Sequence, residues 1–482
     1  MKNIGPIKWN LLLPIMLFSI ILCSCKKFIE VQSPVTSVNE GNVYNNDNTA
    51  TSVLTALYAQ MSNEAVGDFG ITSLSKVAEL SADNLALNDL TNIPLISFYR
   101  NNLNGTSSAP GFWSQLYQGV YQTNAAIEGL NTSTSLTPLV KRQLLGEAQF
   151  MRAFFYFYLV NLYGDIPLVL VTNYKGNAIM GRTDKSKVYE QIITDLKSAK
   201  NLLSQDYLDV TLLNKSTERI RPNRAAATAL LARVYLFSGD FIQAEAQSSL
   251  LLNNDINYKL VDLDKVFLRN SKETIWSLQP VIINFNTWES RKFILPSTGP
   301  NTEFPLSLSK QLIASFDADD KRLNIWTGDV TADGVKFYYA YKYKAALNAT
   351  SVSEYGMVLR LAEQYLVRAE ARVYQNKLTG INSAASDLDA IRLRAGLLPT
   401  TASTKQDLLD AILKERQHEL FTEWGHRWFD LKRTNKIDEV MSMVCPLKGG
   451  VWQSYKALYP IPQVEINRNP GMTGQQNPGY SN

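Results

Sequence analysis

Apolar side chains recur at the three- and four-residue spacing of helices over most of the chain. The pattern begins near Asn48 with Leu54 and Leu57, and it predicts an amphipathic helix there. Further helices are predicted at 112–131, 138–163, 185–204, 222–238, 240–252, 355–376, 382–395 and 405–434. Between the fifth and sixth of these, short alternating runs at 273–279 and 335–339 predict strands. The chain is therefore expected to be mainly α-helical, with short β elements in a more irregular, loop-rich part.

A repeated unit is visible within the helical stretches. Leu231, Tyr235, Gly239, Ala244 and Leu251 lie at the spacings of a tetratricopeptide helix pair, in which small residues let two helices approach closely. Degenerate versions of the pair combine Ala153 and Tyr156 with Tyr189, Ile192, Leu196 and Ala199, and Tyr365 and Ala369 with Ala384 and Leu388. Because neither helix of such a pair buries its apolar face alone, we expect the pairs to stack into a tetratricopeptide-like scaffold.

The first residues read as an export signal rather than a membrane span. Lys2 and Lys8 precede an apolar run that ends at Leu22, and the run is too short to cross and hold a bilayer. Leu22, Ser24 and Cys25 resemble the lipobox of bacterial lipoproteins, in which the cysteine thiol carries a diacylglyceryl group. The resemblance implies anchoring to outer-membrane lipid through Cys25. An ordinary cleaved signal with a coincidental cysteine is the alternative.

These patterns divide the chain into a leader, a tether and one domain. The expected boundaries are 1–24 for the signal peptide, 25–45 for the lipidated tether and 46–482 for a single domain. Within that domain we expect the repeat core at about 46–253 and 355–434, an insertion at about 254–354 and a C-terminal coil at 446–482.

Composition narrows the classes of function. Loss of the leader removes two lysines and no acidic residue, so 46 basic residues face 44 acidic ones and the net charge is +2. A net charge this small creates little electrostatic attraction for nucleic acid, which argues against a nucleic-acid partner. Of the three cysteines, Cys23 leaves with the leader and Cys25 takes lipid, so Cys445 has no partner for a disulfide. With only two histidines a zinc site is not expected, and no metal or cofactor is predicted.

Five segments together resemble the SusD/RagB family of outer-membrane nutrient-binding lipoproteins from the Bacteroidetes. They are Phe112–Ile127, Gly146–Leu168, Leu359–Glu370, Glu415–Arg433 and Tyr459–Tyr480. The resemblance implies a tetratricopeptide-like half that supports a more variable, ligand-side half. It also implies non-catalytic binding of glycans and delivery to a TonB-dependent barrel of the SusC type, with the lipoprotein acting as a lid at the cell exterior.

One departure from related lipoproteins concerns the residues after the lipobox. Some surface lipoproteins of these bacteria carry acids directly after the lipidated cysteine, whereas Lys26 and Lys27 come first here and Glu30 is the earliest acid. The lipobox therefore predicts membrane anchoring, while the residues after it lack the acidic pattern of those surface lipoproteins.

Acidic and histidine residues near the end of the last long helix raise the question of catalysis. Glu415, Glu419 and Glu423 recur every four residues and share one helix face. Such carboxylates fit the acid and base of a lipid-anchored glycoside hydrolase. Ion pairing with nearby arginines is the favoured interpretation, and Arg416, Arg427 and Arg433 are available.

His418 and His426, about two turns apart, are expected to pack beside Trp424 and Trp428. The cluster of Asp317, Asp319 and Asp320 lacks the spacing of an EF-hand loop, so a turn or helix end is favoured over calcium.

Aromatic residues outside the repeat core are the candidates for a glycan site. The apolar C–H faces of sugars stack on rings, while amides and arginine bond their hydroxyls. The candidate residues are Phe98, Tyr99, Arg100, Phe285, Asn286, Trp288, Trp326 and Tyr338. Local loop packing is the competing interpretation for each of them, and Trp276, in an alternating apolar run, is assigned to the core. Whether the ligand is a glycan or a peptide stays open, and so does a tetratricopeptide protein that only scaffolds other proteins.

We predict that Cys25→Ala releases the protein from the membrane fraction, because the acyl methylenes supply the free energy of partition. Fractionation after a high-salt wash measures the effect. Cys445→Ala leaves the lipobox intact and is expected to stay bound. Retention of the Cys25→Ala protein with washed membranes would contradict the anchor.

Overall fold

The computed structural model describes residues 43–63, 69–70, 72–106, 112–345 and 351–481. The expected signal peptide and Cys25 lie outside the described residues. Within them, no helix is long and apolar enough to cross a membrane.

The described chain is mainly helical, with three small antiparallel sheets, as the sequence predicted. The helices of the first half are α1 (Asp47–Ser62), α2 (Ser73–Ser81), α3 (Ile93–Tyr99), α4 (Phe112–Thr132), α5 (Pro138–Tyr163), α6 (Tyr174–Asn177), α7 (Lys185–Leu202), α8 (Arg224–Ser238) and α9 (Phe241–Leu252). The remaining helices are α10 (Trp288–Phe293), α11 (Lys310–Ser315), α12 (Lys321–Ile325), α13 (Leu361–Tyr374), α14 (Ala384–Arg394), α15 (Lys405–Leu420), α16 (His426–Arg433), α17 (Ile437–Leu447) and α18 (Gln463–Arg468). The strands are β1 (Leu85–Leu87), β2 (Thr274–Leu278), β3 (Leu306–Leu308), β4 (Thr327–Ala332), β5 (Val335–Ala340) and β6 (Gly356–Arg360).

The long helices stack in chain order. Helix α5 packs against α4 and α7, α8 packs between α7 and α9, and α13 packs against α9, α14 and α15. The helix pairs expected from the repeat pattern therefore form, and they build the tetratricopeptide-like scaffold. A separate core of apolar residues, including Leu366, Leu388 and Ile412, joins α13, α14 and α15.

The best repeat owes its sharp turn to its capping residues. The Asn223 side chain accepts a hydrogen bond from the Ala226 backbone N–H at 3.1 Å and so starts α8. Gly239 ends the helix with φ of 82°, in the left-handed region that glycine adopts at little cost. Asp240 then caps α9 through the Gln243 backbone N–H. Two adjacent caps thus turn the chain between the helices of the pair.

The insertion is bound to the repeat core through its strands. Strand β2 pairs with β6, with Thr274 opposite Arg360 and Leu278 opposite Gly356. Trp276, expected in the core, is fully buried, and its ring meets that of Phe150 edge-on at 5.1 Å. The other sheets pair β1 with β3 and β4 with β5.

Three predicted elements differ from the structure, and for two of them the cause is a contact with a distant segment. The helix predicted at 355–376 begins at Leu361, because the buried residues before it pair with β2 as a strand. The helix predicted at 405–434 is broken between α15 and α16, where Thr422, Trp424 and Gly425 have positive φ angles. A Cβ on Gly425 would lie 2.7 Å from the Ala78 Cβ, so close packing against α2 accounts for the break. The coil predicted at 446–482 contains α18 and short 3₁₀ turns.

Glu415, Glu419 and Glu423 lie inside a buried network of ion pairs. Glu419 accepts hydrogen bonds from Arg322 Nη1 at 2.9 Å and from Arg360 Nη1 at 2.6 Å. Arg322 Nη1 also lies 2.7 Å from Glu415 Oε1. Glu423 accepts from Arg360 Nε at 2.7 Å. The ion-pair interpretation of the three glutamates therefore holds in the structure, and their side chains are at most 8% exposed.

The sequence analysis assigned the wrong arginines as ion-pair partners of these glutamates, however. The arginines that are close to the glutamates along the chain bond other acidic residues. The arginines that pair with the three glutamates come from α12, β6 and α14. The observed pairs are Arg416 with Asp430, Arg427 with Asp83, and Arg433 with Glu370 and Asp430.

Further charges extend the network to the strands. Glu273, just before β2, lies 2.9 Å from Arg360 Nη1 and 2.6 Å from Arg394 Nη1. Lys342, just after β5, donates to Glu423 Oε1 at 2.6 Å and to the carbonyl oxygen of Phe421 at 2.8 Å. The network thus joins the insertion to the last helices of the repeat core.

Burial and charge act in opposite directions on the titration of the network. Burial by itself would raise the pKa of Glu419, but Arg394, Arg360 and Arg322 outweigh it and hold that pKa well below its usual range. Burial lowers the pKa of the Lys342 ammonium to about 8, against the opposing effect of Glu423. Glu419 therefore carries its negative charge in the folded protein.

We predict that Gly239→Leu lowers the free energy of unfolding by about 1–3 kcal/mol, because a leucine must adopt a positive φ there. A Cβ at this position would meet nothing within 4 Å, so the loss arises from the backbone alone. Gly239→Asn is expected to lose less, because asparagine tolerates this conformation. Gly176→Leu is the control, since its φ is not positive and its Cβ would meet only Asn173, at 3.9 Å. Equal denaturation midpoints for the two leucine variants would contradict the prediction.

We predict that Glu419→Gln lowers the free energy of unfolding by about 3–5 kcal/mol at pH 7, because it leaves buried arginines without their counter-charge. The depressed pKa stabilises the fold above the ordinary value of 4.5, and this contribution is lost as the pH falls through the pKa of the folded state. The gap between variant and wild type should therefore shrink in acid.

Urea unfolding at pH 7 and in steps below pH 4.5 measures both effects. Glu190→Gln, which breaks the exposed pair with Lys187, serves as control and is expected to change stability little. A gap that is constant across the acid range would contradict the assigned pKa direction.

Candidate functional site

An aromatic pair marks the outer face of the insertion. Phe285 and Trp288 are each half-buried, with ring centroids 4.9 Å apart and planes tilted by 54°. Thr287 caps α10 through the Ser290 backbone N–H at 3.4 Å, which places Trp288 at the first position of the helix. Trp288 is therefore fixed at a helix start, while Phe285 lies in the loop just before it.

Asn286, between these rings, has a structural role. It is 2% exposed, and its Oδ1 accepts hydrogen bonds from the Ser353 backbone N–H at 2.9 Å and from the Glu354 backbone N–H at 3.2 Å. The side chain ties the start of the loop to the segment that returns to β6. Its assignment to a ligand contact is therefore wrong.

Positive charge lies beside the Trp288 ring. Lys292 Nζ is 5.6 Å and Arg291 Cζ 5.9 Å from the ring centroid, at cation–π distance. Both follow Trp288 by one helical turn, so the helix itself sets their positions. Arg291 also lies 3.5 Å from Glu303, and both of these side chains reach solvent. Donors and an acceptor for sugar hydroxyls thus stand next to an apolar ring face.

A pocket borders the same helix at Ser290 and Arg291. Its volume is about 240 Å³, and its lining is mainly apolar. The lining residues are Ser290, Arg291, Ile294, Leu295, Pro296, Phe304 and Ala345. Because Arg291 borders both features, we define the Trp288 surface as Phe285, Trp288, Arg291 and this pocket.

The β4–β5 hairpin stands next to the pocket. The turn after Pro296 closes through the Gly299 backbone N–H at 2.9 Å, and a Cβ on Gly299 would lie 2.6 Å from Ala332 in the hairpin. Tyr338, on the hairpin, is half-buried and lies 4.8 Å from Lys336 Nζ. Tyr338 remains a separate candidate, because the hairpin ring close to a Cβ on Gly299 is that of Phe337, at 4.0 Å.

Phe98, Tyr99 and Arg100 do not form the loop that the sequence predicted. Phe98 is 1% exposed and lies 5.4 Å from the Tyr459 ring, so its assignment as an exposed ligand contact is wrong. Phe98 and Tyr99 end α3, and Lys448 Nζ lies 5.2 Å from the half-buried Tyr99 ring. Arg100 caps α3, and its carbonyl oxygen accepts a contact from Cys445 Sγ at 3.5 Å. These residues pack against the C-terminal segment and not against the Trp288 surface.

Trp326 is a core residue, so its assignment to the site is wrong as well. Its exposure is 0%, and its indole N–H donates to the Leu263 carbonyl oxygen at 2.8 Å. Lys342 Nζ and Arg394 Cζ lie 4.9 Å and 5.7 Å from its ring. The indole thus forms one wall of the buried ion-pair network.

The remaining polar candidates are structural. His418 stacks on Phe316 at 4.2 Å and bonds Ser315 Oγ at 2.9 Å, so its aromatic partner is not one of the two tryptophans expected from the sequence. Asp320 caps α12 and lies 2.7 Å from Arg322, which confirms the helix-end interpretation of the acidic cluster. Asp317 bonds Lys414 at 2.9 Å.

The pocket beside α10 was missed from the sequence. Ile294, Leu295 and Pro296 follow Trp288 directly, but Phe304 and Ala345 reach them only through the turn after Pro296 and through the hairpin. No local pattern in the sequence predicts that these distant segments come into contact. The arginine one turn after Trp288 is the local signal that could have indicated it.

Comparison with known proteins gives a consistent assignment. A family model described as "Starch-binding associating with outer membrane" matches residues 27–236, and the SusD family model matches 284–480. SusD-like protein P2 of Formosa agariphila is 28% identical over 78% of this chain and 81% of its own.

Solved structures share the fold. A SusD superfamily protein of Bacteroides vulgatus superposes with a TM-score of 0.76 at 21% identity, over 90% of this chain and 99% of that one. Surface glycan-binding protein A of Bacteroides thetaiotaomicron, in complex with laminarihexaose, superposes with a TM-score of 0.74 at 20% identity, over 90% of this chain and 99% of that one. Two family models that together span most of the chain, a relative over its greater part and the shared fold agree, and the chain belongs to the SusD/RagB family.

Proposed function

We propose that this protein binds glycans at the Trp288 surface and delivers them to a TonB-dependent outer-membrane transporter of the SusC type. The observation that carries the proposal is the Phe285–Trp288 ring pair, flanked by Arg291 and continued by an apolar pocket. Tethering through Cys25 would hold this surface at the outer membrane, facing the cell exterior.

The chemistry of the Trp288 surface suits a saccharide. The pyranose ring of a sugar has an apolar C–H face that stacks on an indole, and stacking there removes apolar area from water. The hydroxyls at the edge of the sugar need donors and acceptors, which Arg291 and Glu303 provide within reach of the ring. Both groups are partly exposed, so a ligand need not displace a buried side chain to meet them.

The names of related proteins point to the same class of ligand. One structural neighbour holds laminarihexaose, and a relative 24% identical to this chain is the starch-binding protein SusD of Bacteroides thetaiotaomicron. These ligands are neutral glucans with different linkages, so they support glycan binding without selecting a linkage. Delivery to a SusC-type barrel rests on membership of the family.

A binding role is favoured over hydrolysis by the state of the acidic residues. Glu415, Glu419 and Glu423 are buried and ion-paired, so a sugar cannot approach the carboxylates that the hydrolase alternative requires. Incubation with a polysaccharide panel separates the alternatives. Release of reducing ends by the wild type, and its loss in Glu419→Gln protein that circular dichroism shows to be folded, would establish the hydrolase. Retention of glycan on affinity gels without any partner protein would argue against a pure scaffold.

We predict that Trp288→Ala weakens glycan binding by about 1–3 kcal/mol, or roughly 5- to 150-fold in Kd, because the stacking face is lost. Laminarihexaose, maltohexaose and a wider glycan array are the probes, and the lipid-free protein is measured by calorimetry. Trp288→Phe is expected to keep part of the affinity, since a smaller ring remains.

Tyr121→Ala is the matched control, because Tyr121 is an exposed aromatic residue on α4 and lies outside the Trp288 surface. The Tyr121→Ala protein should bind the glycan with the same affinity as the wild type. An unchanged affinity of Trp288→Ala for a confirmed ligand would place the platform elsewhere, with Tyr338 as the next candidate. Unfolding of Trp288→Ala would assign the ring to the core.

A further inference from the structure

A second cavity lies within the tetratricopeptide-like scaffold, formed by segments that the Trp288 surface does not use. The end of α7, the start of α8 and the end of α9 enclose it together with the loops at 205–216 and 254–258. Its volume of about 560 Å³ is within the range of small-molecule sites. Its lining includes the charged and aromatic side chains of Lys200, Arg224, Tyr207 and Tyr258.

Two positive charges line the cavity without a counter-charge among the described residues. Lys200 donates to the neutral Gln247 Oε1 at 2.6 Å. Arg224 Nε is buried and has no hydrogen-bond partner. By contrast, Lys215 in the same lining lies 2.9 Å from Asp206. Burying a polar group without a partner is costly, so the Arg224 Nε, with the Lys200 charge in the same lining, fits a site completed by an anion.

The electrostatics of the pair agree with this geometry. Partial burial lowers the pKa of Lys200, and the nearby Arg224 lowers it further. An anion placed between them would reverse that second effect. Arg224 is also the first residue of α8, and the helix dipole favours negative charge at that end.

The rest of the lining is suited to the uncharged part of a sugar. Tyr207 and Tyr258 have hydroxyls 2.8 Å apart, and Arg219 Cζ lies 5.3 Å and 5.2 Å from their rings. These contacts fix two aromatic side chains in the wall. The amides of Gln205, Asn254 and Asn257 supply neutral donors and acceptors.

We propose that this cavity binds an acidic saccharide, with its carboxylate between Lys200 and Arg224 and its hydroxyls on the amides. The site is separate from the Trp288 surface and adds a second class of ligand. A neutral glycan leaves both cations unpaired, so the cavity discriminates by charge.

Calorimetry of the lipid-free chain with digalacturonate tests this. We expect binding that weakens as the NaCl concentration is raised. The Kd should be at least tenfold higher in Lys200→Gln and in Arg224→Gln. The neutral dimethyl ester of digalacturonate should bind the wild type with a similarly increased Kd. Arg224→Lys, which keeps the charge, should retain more affinity than Arg224→Gln. Lys187→Gln, on the same helix but paired with Glu190, should match the wild type.

Other outcomes would overturn the inference. Absence of digalacturonate binding removes the site, and so does a Kd of both glutamine variants equal to that of the wild type. Displacement by an equal concentration of inorganic phosphate would make it a general anion site and not a saccharide site. If Arg224→Gln fails to fold, Lys200→Gln decides alone. Trp288→Ala should bind digalacturonate normally, so failure here and failure of the neutral-glycan proposal are distinguishable.

Discussion

The buried ion-pair network around Glu419 is the constraint on which the rest of the structure depends. Its charges come from the insertion, from both strands of the β2–β6 pair and from α14 and α15, and they meet only when all these segments are in place. Because a buried charge without its partner is far more costly than an exposed one, the network penalises partial assembly. The scaffold and the insertion are therefore expected to form together, which keeps the outer surface in a fixed position on the repeats.

Helices of the repeat core were predictable from sequence because their periodicity is local. Pro138–Tyr163 matched its predicted bounds, and Gly239 marked a turn that needs a positive φ. The errors fall where a distant segment decides. Gly356–Arg360 became a strand because Thr274–Leu278 lies beside it, and the bend before α16 follows from the close approach of Ala78. Neither neighbour is visible in a local window.

The candidate site shows the same division between local and distant causes. Trp288 and Trp326 both have polar neighbours in sequence, yet one is half-buried at a helix start and the other is enclosed by cations of the network. Asn286 looked like a hydroxyl-binding amide, but it bonds two backbone N–H groups of the returning chain. Residue type thus identified the right chemistry, whereas exposure depended on contacts remote in sequence.

The pairing of Leu278 with Gly356 has an evolutionary consequence. The chain leaves the core at one of these residues and returns at its cross-strand neighbour, so everything between them is an excursion with both ends held together. Such an excursion can change in length and composition while the strand pair beneath it stays intact. Among the described residues of this excursion, Arg322 and Lys342 are the cations bound to the buried carboxylates of Glu419 and Glu423. A lineage that keeps these two cations is free to rebuild the remaining surface, and new binding preferences can arise without a new fold.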